Sequence, residues 1–428
     1  MIRKLQINNY KSLFDLTLEV GRFNVFIGEN GCGKSNLLEA IALAAAAAAD
    51  KLDHEFLGSR GIRVTEPQLM RSAFSNESVQ EPINIGVSFK DLNVEEKYTL
   101  NHDNQAYTKW TRLDAYLSKN RNTLLKYLSN RRKEIESIIE KAKNKVNDDD
   151  RIKKINAEFE AIHLQMVKIL IQDDIKKLIS NDATNFFVGN EDDAKNYLEY
   201  FEEILNNENK LKNFIIYSPE NTALRNFYKE GQIEPLGING EGLLKLLKVI
   251  QSKSDEQRQE IHESLQLFDW YAELEIPKDL SSSEDKVIIT DRYLTLAFDQ
   301  RSANEGFLLV LFYIALMVSD DTPKIFAIDN IDTSLNPKLC TRIIKELVRL
   351  AKKYDKQVFV TTHNPAILDG IDLSDDEQRL LVVSRNKQGH TRYKRIALKD
   401  KPRSSSNEDL KLSEAFLRGY LGGLPKGF

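Results

Sequence analysis

The chain has 428 residues, with 61 Lys+Arg against 65 Asp+Glu and a formal charge of −4, which excludes a whole-protein basic footprint for nucleic acid but leaves room for a local patch. Two cysteines, Cys32 and Cys340, exclude a disulfide scaffold and a four-cysteine zinc site, and fit a reducing, cytoplasmic setting. The length allows a large core and two or three structural units.

The N-terminus alternates polar and apolar residues and shows no signal-peptide core. Leu5–Asn8 and Leu16–Val20 have the period of half-buried strands, and Phe23–Ile27 reads as a short buried strand. A glycine-rich loop follows, then an amphipathic helix from Asn36 that runs into Ala44–Ala49, whose small side chains suit close packing on a sheet. Strands are predicted again at Ile83–Phe89, Lys97–Leu100 and Ala106–Trp110. From about residue 114, apolar residues recur at three-to-four spacing among dense Lys, Arg and Glu. That spacing predicts a helical hairpin with Asn147–Asp150 at its tip. Residues 181–280 are weakly patterned, and Ser281–Asp285 reads as a boundary. An α/β texture then returns: a strand at Val287–Thr290, the apolar run Phe307–Val318, a strand at Lys324–Asp329, a helix at Pro337–Lys352 and a strand at Val358–Thr362. The apolar run has 12 residues where a membrane span needs about 20, so it reads as a buried core helix. The predicted fold is an α/β core whose parallel or mixed sheet is split by a coiled-coil-like helical insertion. Residues 1–113 form an N-terminal lobe, 114–285 an insertion or arm, and 286–428 a C-terminal lobe.

Gly28-Glu29-Asn30-Gly31-Cys32-Gly33-Lys34-Ser35 fits the Gly-x-x-x-x-Gly-Lys-Ser pattern, after a predicted strand and before a predicted helix. Its glycines let backbone N–H groups turn inward onto phosphate oxygens, and the helix N-terminus adds the positive end of its dipole. Lys34 is placed to reach the terminal phosphates and Ser35 to ligate Mg2+. Cys32 reads as a small residue tolerated in the loop rather than a redox switch. Asp329 ends a hydrophobic strand nearly 300 residues further on, where it can meet the loop and hold Mg2+ with Ser35. His363 ends another strand and is placed to contact a γ-phosphate.

In this order, these residues resemble the ABC-type ATPases of the SMC/Rad50/RecF and OLD-like group. Gly28–Asn36 resembles that group's Walker A, and Ile7–Leu13 its opening strand, whose basic residue, here Lys11, often helps hold nucleotide. Ile328–Pro337 resembles Walker B running into the D-loop, and Thr362–Pro365 the switch-histidine loop. Ser302-Ala303-Asn304-Glu305-Gly306 stands at the signature position. Leu412–Pro425 resembles the tail of the bacterial defence branch. The resemblance implies ATP and Mg2+ as ligands, with Asn30, Gly31, Cys32, Gly33, Lys34, Ser35 and Asn36 around the nucleotide. It also implies head-to-tail pairing, in which Asn304, Glu305 and Gly306 of one copy meet the nucleotide of the other. Two positions depart from the pattern. Asn330 occupies the place of the water-activating Glu, and Asn orients a water but does not take its proton at neutral pH. Asp332 lies two residues on, as a candidate replacement. Asn304 stands where Ser or Gly is expected and can still donate through its amide.

In overall plan the chain resembles the Septu (PtuA) ATPases, which act with an HNH nuclease, and next the PARIS (AriA) ATPases, which hold a TOPRIM effector. Only 63 residues follow Pro365, too few for a TOPRIM fold, and no Cys/His cluster suggests an HNH site. The expected function is therefore an anti-phage ATPase subunit that controls a separately encoded nuclease, with ATP-dependent pairing and weak or absent hydrolysis. The alternative is a RecF/Rad50-like repair ATPase that clamps or moves on DNA. Lys119–Lys154 has 12 Lys/Arg and 6 Asp/Glu. It reads as a solvated arm face, as a DNA-backbone contact, or as a surface for oligomerisation or partner docking. No membrane partner is expected.

Overall fold

The computed structural model describes residues 1–90, 95–105, 107–113, 210–226, 235–277, 286–402 and 410–424. A six-stranded sheet lies at its centre, in the order β14-β13-β3-β12-β11-β7. Its strands are β3 (Phe23–Gly28), β7 (Ile216–Tyr217), β11 (Ile325–Ile328), β12 (Gln357–Thr362), β13 (Gln378–Arg385) and β14 (Thr391–Ile396). All neighbours pair in parallel except β13 and β14, which form an antiparallel hairpin. Every residue of β3, β11 and β12 is buried, as expected of parallel strands covered on both faces.

The two-residue period of these strands sorts their side chains between two cores. Val25, Ile27, Phe326, Ile328, Val358, Val360, Leu380 and Val382 face helices Leu243–Lys253, Asp255–Leu265, Glu305–Val318 and Pro337–Lys353. Phe26, Ile325, Ala327, Phe359, Leu381 and Val383 face helix Lys34–Ala48 and a second sheet. That sheet is antiparallel, in the order β2-β1-β4-β5-β6, with β1 Ile2–Tyr10, β2 Leu13–Glu19, β4 Ile83–Phe89, β5 Glu95–Asn101 and β6 Thr111–Arg112. Its register pairs Leu5 with Leu18 and Val87, and Ile7 with Leu16 and Ile85, so alternate residues of three strands fill one face. Helix Lys34–Ala48 lies between the two sheets and is buried from Leu37 through Ala48. It is therefore not amphipathic as its sequence suggested; its alanines fill a slot too narrow for larger side chains.

Helix Glu305–Val318 is buried from Phe307 to Val318, as expected of the apolar run, and no described helix is long and apolar enough to cross a membrane. Of the strand expected at Ala106–Trp110, the described residues 107–110 form none. Described residues there make a turn, with Thr108 Oγ1 donating to Asp103 Oδ1 at 2.5 Å, and pairing with β5 begins only at Thr111. Within the stretch read as an insertion, residues 210–226 and 235–277 add β7 and two core-packed helices to the central layers, followed by β8 (Tyr271–Glu275). β8 joins β9 (Ile288–Asp291) and β10 (Phe298–Asp299) in a small antiparallel sheet. The helical hairpin expected from about 114 and the basic segment Lys119–Lys154 lie outside the described residues.

Candidate nucleotide site

β3 ends at Gly28, and helix Lys34–Ala48 begins six residues later, so the loop between them is a strand-to-helix turn at the C-terminal edge of a parallel sheet. Gly33 has φ 107°, and a Cβ there would lie 2.2 Å from Thr391 Oγ1, so no other residue fits. Asn30 and Gly31 form the exposed tip. Lys34 is 6% exposed, and its Nζ donates to the Gly28 and Glu29 carbonyls at 3.0 Å each. The loop thus closes as a collar around its own ammonium. Burial lowers the Lys34 pKa, opposed by Cys32, Asp329 and Asp332. Cys32 lies within the collar with Sγ 3.9 Å from Lys34 Nζ, and burial raises its thiol pKa, which keeps it neutral and a poor nucleophile.

Asp329 follows β11 and lies beside the loop. Ser35 Oγ is 3.0 and 3.2 Å from its two carboxylate oxygens, and Thr361, on β12, donates to the same carboxylate. A hydroxyl and a carboxylate are the hard oxygen donors with which Mg2+ is held beside substrate phosphates, so the pair fits that ion. No cluster of three His, Cys, Asp or Glu suited to a metal occurs among the described residues. Asn330 has φ 54°, a left-handed turn conformation that Asn adopts far more readily than Glu. Its N–H donates to Thr361 Oγ1 at 2.9 Å, leaving an exposed side chain at the rim. Asp332 accepts from Thr362 Oγ1 at 2.6 Å. His363 is exposed at the end of β12, and partial burial, with the Lys34 ammonium, lowers its pKa against Asp332, Asp329 and the Gly28 backbone, which raise it. It is therefore neutral at pH 7, with one N–H to donate.

Lys11 does not reach the loop. Its Nζ contacts Glu39, and it also donates to the Arg63 carbonyl at 3.1 Å. Glu39 is one helical turn beyond Ser35 and 2% exposed; it also accepts from Arg63 Nε at 2.5 Å and Tyr10 Oη at 3.1 Å. Asn36 faces the same group, donating to Ser12 Oγ at 2.7 Å and accepting from Arg63 at 3.3 Å. The signature segment makes its own set of contacts, with Asn304 and Glu305 exposed. Asn304 caps helix Glu305–Val318, its Oδ1 accepting from Phe307 N at 2.8 Å, and Glu305 accepts from Asn221 at 2.7 Å and Ser334 at 3.0 Å. A Cβ on Gly306 would meet Ser334 O at 3.1 Å. The preceding loop is held by Arg225, which donates to the carbonyls of Gln300 at 2.8 Å, Arg301 at 2.6 Å and Ala303 at 2.7 Å. Within one copy, the side chains of Asn304 and Glu305 hydrogen-bond to residues 221, 307 and 334.

A strand-to-helix glycine-rich loop closed by a carboxylate from a parallel strand two places along the sheet agrees with the match of residues 23–369 to a family model described as "AAA domain, putative AbiEii toxin, Type IV TA system". The chain belongs to this AAA-domain family. The AAA domain's fold is that of an ABC-type ATPase head. It aligns with the SmcHead bound to the C-winged helix domain of ScpA at a TM-score of 0.51 and 14% identity, over 93% of this chain and 98% of that one. The Smc head domain with an extended coiled coil, bound to the C-terminal domain of ScpA and derived from Pyrococcus furiosus, aligns at a TM-score of 0.46 and 12% identity, over 93% and 96% of the two chains. The SMC head domain from Thermotoga maritima aligns at 0.41 and 13% identity, over 93% and 99%. No curated protein matches by sequence.

Sequence reasoning missed Glu39, Arg63, Thr361, Arg225, Thr391 and Tyr393. Glu39 carried a signal, a carboxylate four residues after Ser35 on an otherwise apolar helix. Arg63, Thr361, Thr391 and Tyr393 come to the site, and Arg225 to the loop before Asn304, through strand pairing or loop packing, and no local pattern marks them.

Proposed function

We propose that this AAA domain binds ATP with Mg2+ and uses it to pair two copies head to tail, as a switch with slow or absent hydrolysis that controls a separately encoded nuclease in an anti-phage defence complex. The observation that carries the nucleotide reading is the convergence of Lys34, Ser35 and Asp329. Residues 294 apart meet with Ser35 Oγ 3.0 Å from the carboxylate, beside a buried ammonium. In this reading Lys34 holds the terminal phosphates, Ser35 and Asp329 hold the metal, and neutral His363 donates toward the γ-phosphate. Mg2+, when bound, offsets phosphate charge. Asn304–Gly306, at a helix start where Asn304 and Glu305 are exposed, serve the partner copy's nucleotide. The left-handed turn at Asn330 favours Asn where hydrolysis requires Glu, which supports slow turnover. The family's description as a putative toxin of a type IV TA system fits a chain that works with a separately encoded partner, and the partner's type, HNH or TOPRIM, comes from the sequence resemblance alone. A RecF/Rad50-like clamp on DNA has only the shared fold behind it.

The test is ATP affinity and oligomeric state of the purified chain and of Lys34→Ala. The expected result is micromolar or tighter binding with an ATP-dependent shift from monomer to dimer, both lost in the variant. Unchanged ATP affinity in Lys34→Ala rejects the site.

A further inference from the structure

The β13–β14 hairpin reaches the phosphate loop from the far end of the chain. Thr391 Oγ1 lies 2.8 Å from the Cys32 carbonyl, and Tyr393 Oη donates to the Gly33 carbonyl at 3.0 Å, across 359 and 360 residues. Thr391 is 1% exposed, and its N–H also donates to Ser12 O at 2.9 Å, which pins the hairpin to the β1–β2 turn. Thr391 Oγ1 is 2.6 Å from Ser12 Oγ, which in turn accepts from Asn36. With one proton per hydroxyl, every group is satisfied when Asn36 donates to Ser12, Ser12 to Thr391 and Thr391 to the Cys32 carbonyl. The Tyr393 ring is fixed edge-on to Phe26 of β3, with centroids 5.8 Å apart.

These contacts set the direction of two amides. In a trans peptide the carbonyl and the following N–H point in opposite directions. A Cys32 carbonyl held by Thr391 turns the Gly33 N–H away from the hairpin, and the Gly33 carbonyl, held by Tyr393 at 3.0 Å and by the Leu37 N–H at 3.3 Å, does the same for the Lys34 N–H. Lys34 Nζ holds the Gly28 and Glu29 carbonyls at the other end of the loop. Four carbonyls of the loop, those of Gly28, Glu29, Cys32 and Gly33, are thus occupied, and inward-turned loop amides are the groups that cradle an anion.

We propose that Thr391 and Tyr393 are positioning residues for the nucleotide, whose hydroxyls aim the Gly33 and Lys34 amides at phosphate oxygens. The proposal rests on the ATP-binding reading above and assigns part of that site to the C-terminal hairpin. Preformed donors avoid the cost of ordering the loop at the moment of binding, so their loss shows as weaker affinity.

The experiment compares ATP affinity of the full chain with Thr391→Val, Tyr393→Phe, Thr391→Ser and Lys34→Ala, below each variant's melting transition. Thr391→Val and Tyr393→Phe, which delete only the hydroxyl, are expected to weaken ATP binding by about tenfold each, while Thr391→Ser stays within about twofold of the native chain. A role confined to stability would lower the melting temperature and leave the affinity of the folded protein unchanged. That result in both hydroxyl-less variants overturns the proposal, as does Thr391→Ser binding as weakly as Thr391→Val. If Thr391→Val does not fold, Tyr393→Phe decides alone. Lys34→Ala separates the two readings: lost binding there with native affinity in the hairpin variants rejects only the hairpin's role, and native affinity in Lys34→Ala rejects the nucleotide site and the hairpin's role with it.

Discussion

Asn330 is where backbone and chemistry meet. A side chain at φ 54° is tolerated best in Gly and Asn, and the position also carries the N–H bonded to Thr361 Oγ1. Asn330→Glu is expected to cost about 1 kcal/mol of stability, from the strained backbone, and to raise ATP hydrolysis if the water is otherwise held. General-base catalysis contributes ~10²–10⁴-fold, so single-turnover phosphate release together with a melting curve reads both effects. Brisk hydrolysis by the native chain, abolished by Asp332→Ala, would instead place the base on the carboxylate beside Thr362. Asn330 was legible in the sequence as a departure from a pattern. Its conformation was not, because a left-handed residue leaves no mark on its neighbours' identities.

Arg22, just before β3, shows how elements are locked together at the opposite end of the sheet from the loop. Its Nε donates to Glu377 ahead of β13 at 2.9 Å and its Nη1 to Asp355 after helix Pro337–Lys353, also at 2.9 Å. The hydrogen bond from Arg22 holds the Glu377 pKa below the usual carboxylate range. Asp355 is pushed up by burial, but Arg22 outweighs this and lowers it too. Both folded values lie below the unfolded ones, so the stabilisation is fully present above about pH 4.5 and is lost as pH falls through the lowered values. Arg22→Gln is expected to lose about 1 kcal/mol at pH 7, an amount discounted for the partly exposed acids, with the gap from the native chain closing below about pH 4. Urea unfolding at pH 7, 5 and 3.5 measures it, and a gap constant with pH would remove the ion pairs as its cause. The strands and helices that Arg22 joins were visible from their periodicity and apolar runs. β7 was not, since two residues are too few to show a period.

Nucleotide should stabilise the molecule as one body, because its candidate site takes the Gly28–Ser35 loop from one half of the chain and Asp329 and His363 from the other. At 100 times its dissociation constant ATP is expected to add about 2.7 kcal/mol, raising the melting temperature of the native chain and leaving Lys34→Ala unmoved. The two halves are also tied at the opposite end, where Gln357 of β12 accepts from Ile2 N at 2.8 Å and donates to the Ile2 and Gly21 carbonyls at 2.7 Å each. By itself the sequence determined the phosphate loop, the carboxylate and histidine at two strand ends, and the α/β class, since each is written in contiguous residues with a fixed spacing or period. Only the tertiary structure decided that Lys11 turns to Glu39, that an alanine-rich helix is enclosed between two sheets, and that Thr391 and Tyr393 hold the phosphate loop. Those outcomes follow from the pairing of strands hundreds of residues apart and from the volume left between two packed sheets, neither of which any local stretch of sequence encodes.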